Sequence, residues 1–237
     1  MNLILDIGNT VMKFALFQGQ TLLVKGAGDW QDLAQFIDGK VLTGCLVSSV
    51  TNESLNELTS LVPCDITELT YKISIPIVNS YTTPSTLGND RLANAVGGHF
   101  LRPDENTLVV DCGTCIKFDF VSNQGKYLGG SISPGLLMRF KALNEFTGLL
   151  PLLEPSLHPK LIGDSTYSAI NSGVVNGAVA EIDGLIANYQ SVYENLTVIL
   201  TGGDASFFDK ELKSNIFVEP NLTLIGLNEI LRHNISH

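Results

Sequence analysis

The chain has 237 residues, 44% of them hydrophobic, and a formal net charge of −10. That size and apolar content suit one large or two small globular domains with a proper core. The charge, with a pI near 4.7, argues against binding nucleic acid through its phosphates. No apolar run approaches the roughly 18 residues that span a bilayer. The N-terminus lacks a basic start and carries Asp6 inside its first apolar stretch, so it does not read as a signal peptide. The expectation is a cytoplasmic protein with no membrane or nucleic-acid partner, in which the N-x-[ST] sequons at Asn52, Asn195, Asn221 and Asn234 are chance matches.

In chain order, alternating runs at 2–7 and 11–17 predict a hairpin, with a third antiparallel strand at 21–25. A helix follows over 29–38, N-capped by Asp29, then a buried strand at 41–50, a helix at 52–62 and a short strand near 65–70. After a polar stretch at 79–88, residues 89–101 read as a helix. Strands at 107–112, 115–121 and 126–132 then restart the pattern, with helices at 136–146 and 165–191, a strand at 196–201, a helix at 204–213, a strand at 216–218 and a last helix at 222–233. The order β-β-β-α-β-α-β thus occurs twice, which predicts two related α/β halves, 1–103 and 104–237. The helix from 165 carries small residues (Ala169, Gly173, Gly177, Ala178, Ala180) that permit a close helix contact, internal or between subunits.

The chemistry sits in turns after strands. LILDIGNTVMKFALF places Asp6 at the end of an apolar run and Gly8-Asn9-Thr10 in the turn, and LVVDCGTCIKFDFV repeats this with Asp111 and Gly113-Thr114. A carboxylate beside a turn with free backbone N–H groups suits a Mg²⁺-bound phosphate chain, the acid holding the metal's waters and the amides the phosphate oxygens. A third turn, Thr201-Gly202-Gly203-Asp204, ends a buried strand in paired glycines that admit a base and ribose. An acidic protein that holds a triphosphate needs local cations, and Lys13 and Lys117, one in each repeat, are the candidates. Neither a P-loop nor a G-x-G-x-x-G fingerprint occurs. Cys112 and Cys115 have C-x-x-C spacing, but strand-like runs flank them and Cys45 and Cys64 form no matching pair. They read as small buried residues rather than as a redox or zinc site. The four histidines are scattered.

Taken together, DxGNTxxK, the segment TPSTLGNDRLAN at Thr83–Asn94, DxGTxxxxD, GGxIxPG, a threonine before the long helix, and xTGGD resemble type III pantothenate kinases. That family belongs to the actin-like ATPase and sugar kinase superfamily. The resemblance implies two RNase H-like halves, each a mixed five-stranded sheet with flanking helices. It implies transfer of the ATP γ-phosphoryl to pantothenate, with Asp90 as the catalytic acceptor of the hydroxyl proton. ATP falls to Asp6, Ile7, Gly8, Asn9, Thr10, Val11, Met12, Lys13 and Thr114, with Mg²⁺ held through water by Asp6. Pantothenate falls to Tyr81, Gly88, Asn89, Asp90, Arg91 and Thr166, and a monovalent cation, K⁺ or NH₄⁺, to Asp111. Gly130, Pro134 and Gly135 would shape a loop between the halves, and the protein would be a homodimer with the helix from 165 at its interface. The plain alternatives are an N-cap at Asn89 or Asp90 and a first-turn helix residue at Thr166. The departure from the family pattern is Cys115 and Lys117 in the second motif, where the family has Ala and Thr. Lys117 is expected to pair with Asp119 on its own strand face, or else to reduce dependence on the monovalent cation. Competing readings are a sugar or carboxylate kinase of the same superfamily and a non-catalytic nucleotide-binding regulator.

Overall fold

A computed structural model describes residues 1–7, 11–49 and 54–235. Contacts divide the chain into two compact units. The first comprises Met1–Leu101, Gly125–Tyr127 and the C-terminal segment from Asn221; the second comprises Arg102–Gln124 and Leu128–Pro220.

The first unit opens with β1 (Asn2–Ile7), β2 (Met12–Gln18), β3 (Thr21–Gly28), α1 (Trp30–Ile37), β4 (Gly44–Ser49), α2 (Ser54–Leu61) and β5 (Ile66–Glu68). The sheet order is β3-β2-β1-β4-β5, antiparallel through β3-β2-β1 and parallel through β1-β4-β5. Side chains alternate across β1. Leu3 and Leu5 join Phe14, Leu33, Ile37, Val47 and Leu58 in one core cluster, while Asn2, Ile4 and Asp6 point to the other face. Asp29 caps α1 by accepting from the Gln31 and Asp32 amides at 2.8 and 3.1 Å, and Asp32 returns the bond in a capping box. The predicted strand from 41 begins only at Gly44.

The unit continues with β6 (Val78–Asn79), a 3₁₀ turn (Pro84–Thr86) and α3 (Asn89–Leu101), and it is completed by α8 (Leu222–Ile235). The sequence pattern put that last helix in the second half, yet it packs against α3, β1 and β4. Two glycines set how closely the helices approach. A Cβ on Gly226 would lie 1.8 Å from the Ala93 carbonyl oxygen, and one on Gly97 would lie 2.7 Å from that of Leu222. Polar side chains pin the same contact: Thr223 Oγ1 donates to Asn94 Oδ1 at 2.7 Å, and Asn2 Nδ2 to Asn228 Oδ1 at 3.1 Å.

The second unit repeats the order with β7 (Asn106–Cys112), β8 (Cys115–Val121), β9 (Lys126–Pro134), α4 (Leu136–Glu145), α5 (Thr166–Asn171), α6 (Gly177–Val192), β10 (Leu196–Thr201), α7 (Ala205–Phe208) and β11 (Phe217–Val218). Its strand order, β11-β10-β7-β8-β9-β6, is that of the first sheet with one strand added. The sheet expected to have five strands therefore has six, because the Val78 and Ser80 amides bond to the Gly125 and Tyr127 carbonyls at 2.8 and 3.0 Å. A two-residue strand carries no periodicity to read in advance. Leu108, Val110 and Cys112 of β7 and Ile116, Phe118 and Phe120 of β8 face the core shared with α6 residues Ala178, Ile182 and Ile186.

The single helix predicted over 165–191 is α5, a π-helical stretch at Ser172–Asn176, and α6. The helix predicted over 204–213 has α-geometry only over Ala205–Phe208. No helix among the described residues is long and apolar enough to cross a membrane.

Candidate active site

The first strands of the two units hold their acids at matching places. Asp6 is the fifth residue of β1, and Asp111 the sixth of β7. Each sits next to the strand's last residue, and each points to the face opposite the core cluster of its sheet. A lysine stands directly across the antiparallel ladder from each: Lys13 opposite Asp6 and Lys117 opposite Asp111. The two lysines then differ. Lys13 is exposed, whereas the Lys117 ammonium lies 2.8 Å from Asp111 Oδ2, with both side chains largely buried.

Lys117 was expected to meet Asp119, two residues along its own strand. An ion pair also runs across the ladder to Asp111. Directly opposed residues bring their Cβ atoms to about 5 Å, while same-face neighbours along a strand stand about 6.6 Å apart.

In the first unit Ile7 is half-buried, Val11 exposed and Met12 buried in the core. Met12 belongs to the core cluster of its sheet. Gly8, Asn9 and Thr10 lie outside the described residues.

In the second unit three turns converge. The Gly113 amide bonds to the Cys115 carbonyl at 3.1 Å, the Gly135 amide to that of Thr114 at 3.1 Å, and the Asp204 amide to that of Cys112 at 2.8 Å. Gly135 has no room for a side chain, since a Cβ would stand 2.3 Å from the Gly113 carbonyl oxygen and 2.6 Å from that of Thr114. Gly202 has φ +95°, and a Cβ there would lie 2.4 Å from both Asp111 Oδ1 and the Cys112 carbonyl oxygen. Gly130 lets β9 pass close to β8, because its Cβ would meet the Phe118 carbonyl at 1.7 Å. Thr114 is exposed at the tip of the second turn, available to a phosphate.

Two groups here went unassigned in the sequence reading. Asp204 follows the paired glycines, and partial burial raises the pKa of its carboxyl above the ordinary value. The TGGD motif was the signal for it. Arg139 braces the Pro134 loop, donating to the Pro134 carbonyl at 2.8 Å and to Glu181 Oε2 at 2.6 Å. Ser133 Oγ also donates to Glu181. Nothing in the sequence spacing tied residue 139 to 181.

At the start of α3 the substrate candidates come together. Asn89 is the first helical residue, and its side chain donates to the Leu69 carbonyl at 3.1 Å instead of capping. Asp90 Oδ1 accepts from the Arg91 amide at 2.8 Å, so the carboxylate sits in the positive field of the helix N-terminus. A Cβ on Gly88 would lie 2.6 Å from that same oxygen, so glycine there leaves the acid approachable. Arg91 is 4% exposed. Its guanidinium lies 5.5 Å from the Tyr81 ring centre and donates to Tyr81 Oη at 3.4 Å. Tyr81 in turn stacks on Tyr127 with ring centres 6.1 Å apart. This aromatic backing fixes a charge that is otherwise hard to bury.

Thr166 lies in the second unit, exposed in the first turn of α5 after the N-cap Ser165. Its position is that of an ordinary helix-start residue.

The cysteines are all free. Cys112 is buried, and its thiol pKa is pushed up by burial and by Asp111 and Asp204. Cys115 is only half-buried, with Sγ 3.9 Å from Met138 Sδ. Among the described residues no group of three His, Cys, Asp or Glu side chains could hold a metal. One hard carboxylate oxygen at Asp6 fits Mg²⁺, which binds through one or two carboxylates, water and substrate phosphates. The carboxylate of Asp111 does not fit a free monovalent cation in the same way, since an ammonium already neutralises it.

Residues 2–188 match the family model described as Type III pantothenate kinase. The type III pantothenate kinase of Phocaeicola vulgatus is 42% identical over 239 residues, covering 99% of both chains. That of Flavobacterium johnsoniae is 41% identical over 244 residues, covering all of both. Among solved structures, a proposed Baf family transcriptional activator from Campylobacter jejuni aligns with TM-score 0.65 at 21% identity, over 99% of this chain and 100% of its own. The ROK hexokinase from Thermus thermophilus aligns with TM-score 0.54 at 14% identity, over 99% and 98%. At those identities the two structures speak for the fold alone.

Proposed function

The chain belongs to the type III pantothenate kinase family, and we infer that it transfers the γ-phosphoryl group of ATP to the primary hydroxyl of pantothenate, giving 4'-phosphopantothenate, the first step of coenzyme A biosynthesis. The observation that carries this reading is the start of α3, where the Asp90 carboxylate and the buried Arg91 guanidinium belong to consecutive residues and the guanidinium lies over the Tyr81 ring. A carboxylate next to a fixed cation orients a hydroxyl nucleophile that carries its own anionic end.

Arg91, backed by Tyr81, binds the pantothenate carboxylate region, with Gly88 and Asn89 forming the adjoining wall. Asp90 accepts the proton of the substrate hydroxyl as its oxygen bonds to the γ-phosphorus and the bond to the β–γ bridging oxygen breaks, releasing ADP. Phosphoryl transfer through a loose transition state asks for placement and charge neutralisation more than for a strong base. Asp6 holds Mg²⁺ through water, and the ion, when bound, neutralises charge on the triphosphate. Exposed Lys13 and Thr114 contact phosphate oxygens, and the narrow Gly202 turn and Asp204 flank the nucleoside. Thr166 contributes to the pantothenate pocket by family resemblance.

We further infer a cytoplasmic homodimer. Large apolar side chains at Phe146, Leu149, Leu161 and Ile162 are each more than 80% exposed, more than an isolated surface ordinarily leaves open. Gly173 and Gly177, on the helix expected at the interface, have nothing within 4 Å of where a Cβ would stand. Four free thiols suit a reducing compartment.

A coupled ADP-release assay with Mg²⁺-ATP, run with pantothenate and with a panel of sugars and carboxylic acids, tests the reading. Pantothenate-dependent turnover is expected. Turnover with a sugar alone, or none with any acceptor, overturns it.

A further inference from the structure

The Asp111–Lys117 pair bears on the one cofactor that the family resemblance implies and that the residues present do not accommodate. Lys117 faces Asp111 across the β7–β8 ladder, with Nζ 2.8 Å from Oδ2 and side chains only 15% and 12% exposed. The other carboxylate oxygen faces the Gly202 turn, where an added Cβ would come within 2.4 Å of it. The partner of the repeat is instructive. Lys13 holds the same ladder position opposite Asp6 but is exposed, free to reach toward a ligand, whereas Lys117 is turned onto its own acid. A free cation beside Asp111 would sit within a few ångströms of a fixed ammonium. At that separation, like-charge repulsion in a partly buried site weakens binding on the order of a hundredfold or more.

We propose that the Lys117 ammonium is a tethered monovalent cation, filling at Asp111 the place that K⁺ or NH₄⁺ would otherwise take, so that this enzyme needs neither ion for turnover. The inference rests on the pantothenate kinase reading. An ammonium matches K⁺ in charge, and a covalent tether supplies it at a fixed place without a binding equilibrium. Lysine is the side chain for the task, since it delivers a compact point charge on a flexible stem where arginine would deliver a broad planar fork.

The test compares wild type with Lys117→Thr and Lys117→Gln, all purified free of K⁺ and NH₄⁺, at constant ionic strength set with choline chloride. Two readouts are taken while K⁺ is titrated: pantothenate-dependent kcat/KM, and the melting temperature of the nucleotide-free protein. For wild type, kcat/KM changes less than twofold and no K⁺-specific melting shift occurs. For the variants, kcat/KM falls tenfold or more without K⁺ and recovers with K⁺ or NH₄⁺ but not Li⁺, alongside a saturable K⁺-dependent rise in melting temperature. A wild-type enzyme that stops without K⁺, or that shows a saturable K⁺ shift, overturns the proposal, and this arm holds even should a variant not fold. Variants that fold yet gain no response to K⁺ overturn it as well. Absence of pantothenate turnover in every salt would instead defeat the reaction assignment, leaving the melting arm to decide the cation question by itself.

Discussion

Replacing Gly202 by alanine probes the convergence of the turns in the second unit. Two costs add. At φ +95° a side chain is disfavoured by about 1–2 kcal/mol. The new Cβ would also lie 2.4 Å from both Asp111 Oδ1 and the Cys112 carbonyl oxygen, so relief to ordinary contact requires a shift of about 1 Å, an overpacking cost of about 1–3 kcal/mol. Cys112 cannot retreat freely, because its carbonyl accepts the Asp204 amide at 2.8 Å and its strand is paired to β8. The sum, about 2–5 kcal/mol, corresponds to a loss in melting temperature on the order of 10 °C for a chain of this size. Turnover at a temperature where the variant is folded should drop as well, since the movable atom is the Asp111 carboxylate. Gly203→Ala is the internal control, because nothing lies within 4 Å of its Cβ position and its φ is not left-handed. Differential scanning fluorimetry and the ADP-release assay read both variants. A Gly202→Ala protein that melts within about 2 °C of wild type, or a Gly203→Ala protein equally damaged, would refute the packing argument.

Asp90→Asn should lower kcat by about 10²–10⁴-fold while nucleotide binding and melting temperature stay near wild type; near-normal turnover would remove Asp90 from proton acceptance. Asp204→Asn should raise the melting temperature at neutral pH. Partial burial raises the Asp204 pKa, so its charged form destabilises the fold above that pKa, and the penalty fades as pH falls through it and is gone below the ordinary value of 3.8. The variant's advantage should therefore shrink on acidification, and a constant or growing advantage across a pH series of melts would contradict the assignment. Thiol titration with an aromatic disulfide at neutral pH should label Cys64 and Cys115 ahead of Cys45 and Cys112, whose burial both shields the sulfur and disfavours the thiolate. Four equal rates in the native protein would argue against the buried placement.

Much of this architecture was legible in advance because it rests on local signals. Period-2 runs such as Leu3–Leu5 and Leu108–Val110 mark strands buried on one or both faces, and Asp29 announces α1 through its cap. The β7–β8 turn needed only its glycine and acid to be noticed, and TLGNDR marked the start of α3. What escaped was pairing at a distance. The two-residue β6 joins Lys126–Tyr127 through backbone bonds alone, α8 returns to α3 across Ala93, Gly97 and Gly226, and Arg139 reaches Glu181.

The order of residues alone was enough to establish that an α/β unit is repeated and that each copy ends its first strand in an acid followed by a turn, because alternation and capping act over a few residues. It also placed Asp90 and Arg91 on adjacent positions of one helix start. The partner of Lys117 was a different kind of question. Asp119 is two residues away in the chain and Asp111 six, and nothing in the spacing ranks them. The ladder register does, since it sets Asp111 directly across the strand from Lys117, and burial holds the ammonium there. Register and burial belong to the folded sheet, and they separate an exposed lysine at position 13 from a largely buried one paired with a carboxylate at position 117.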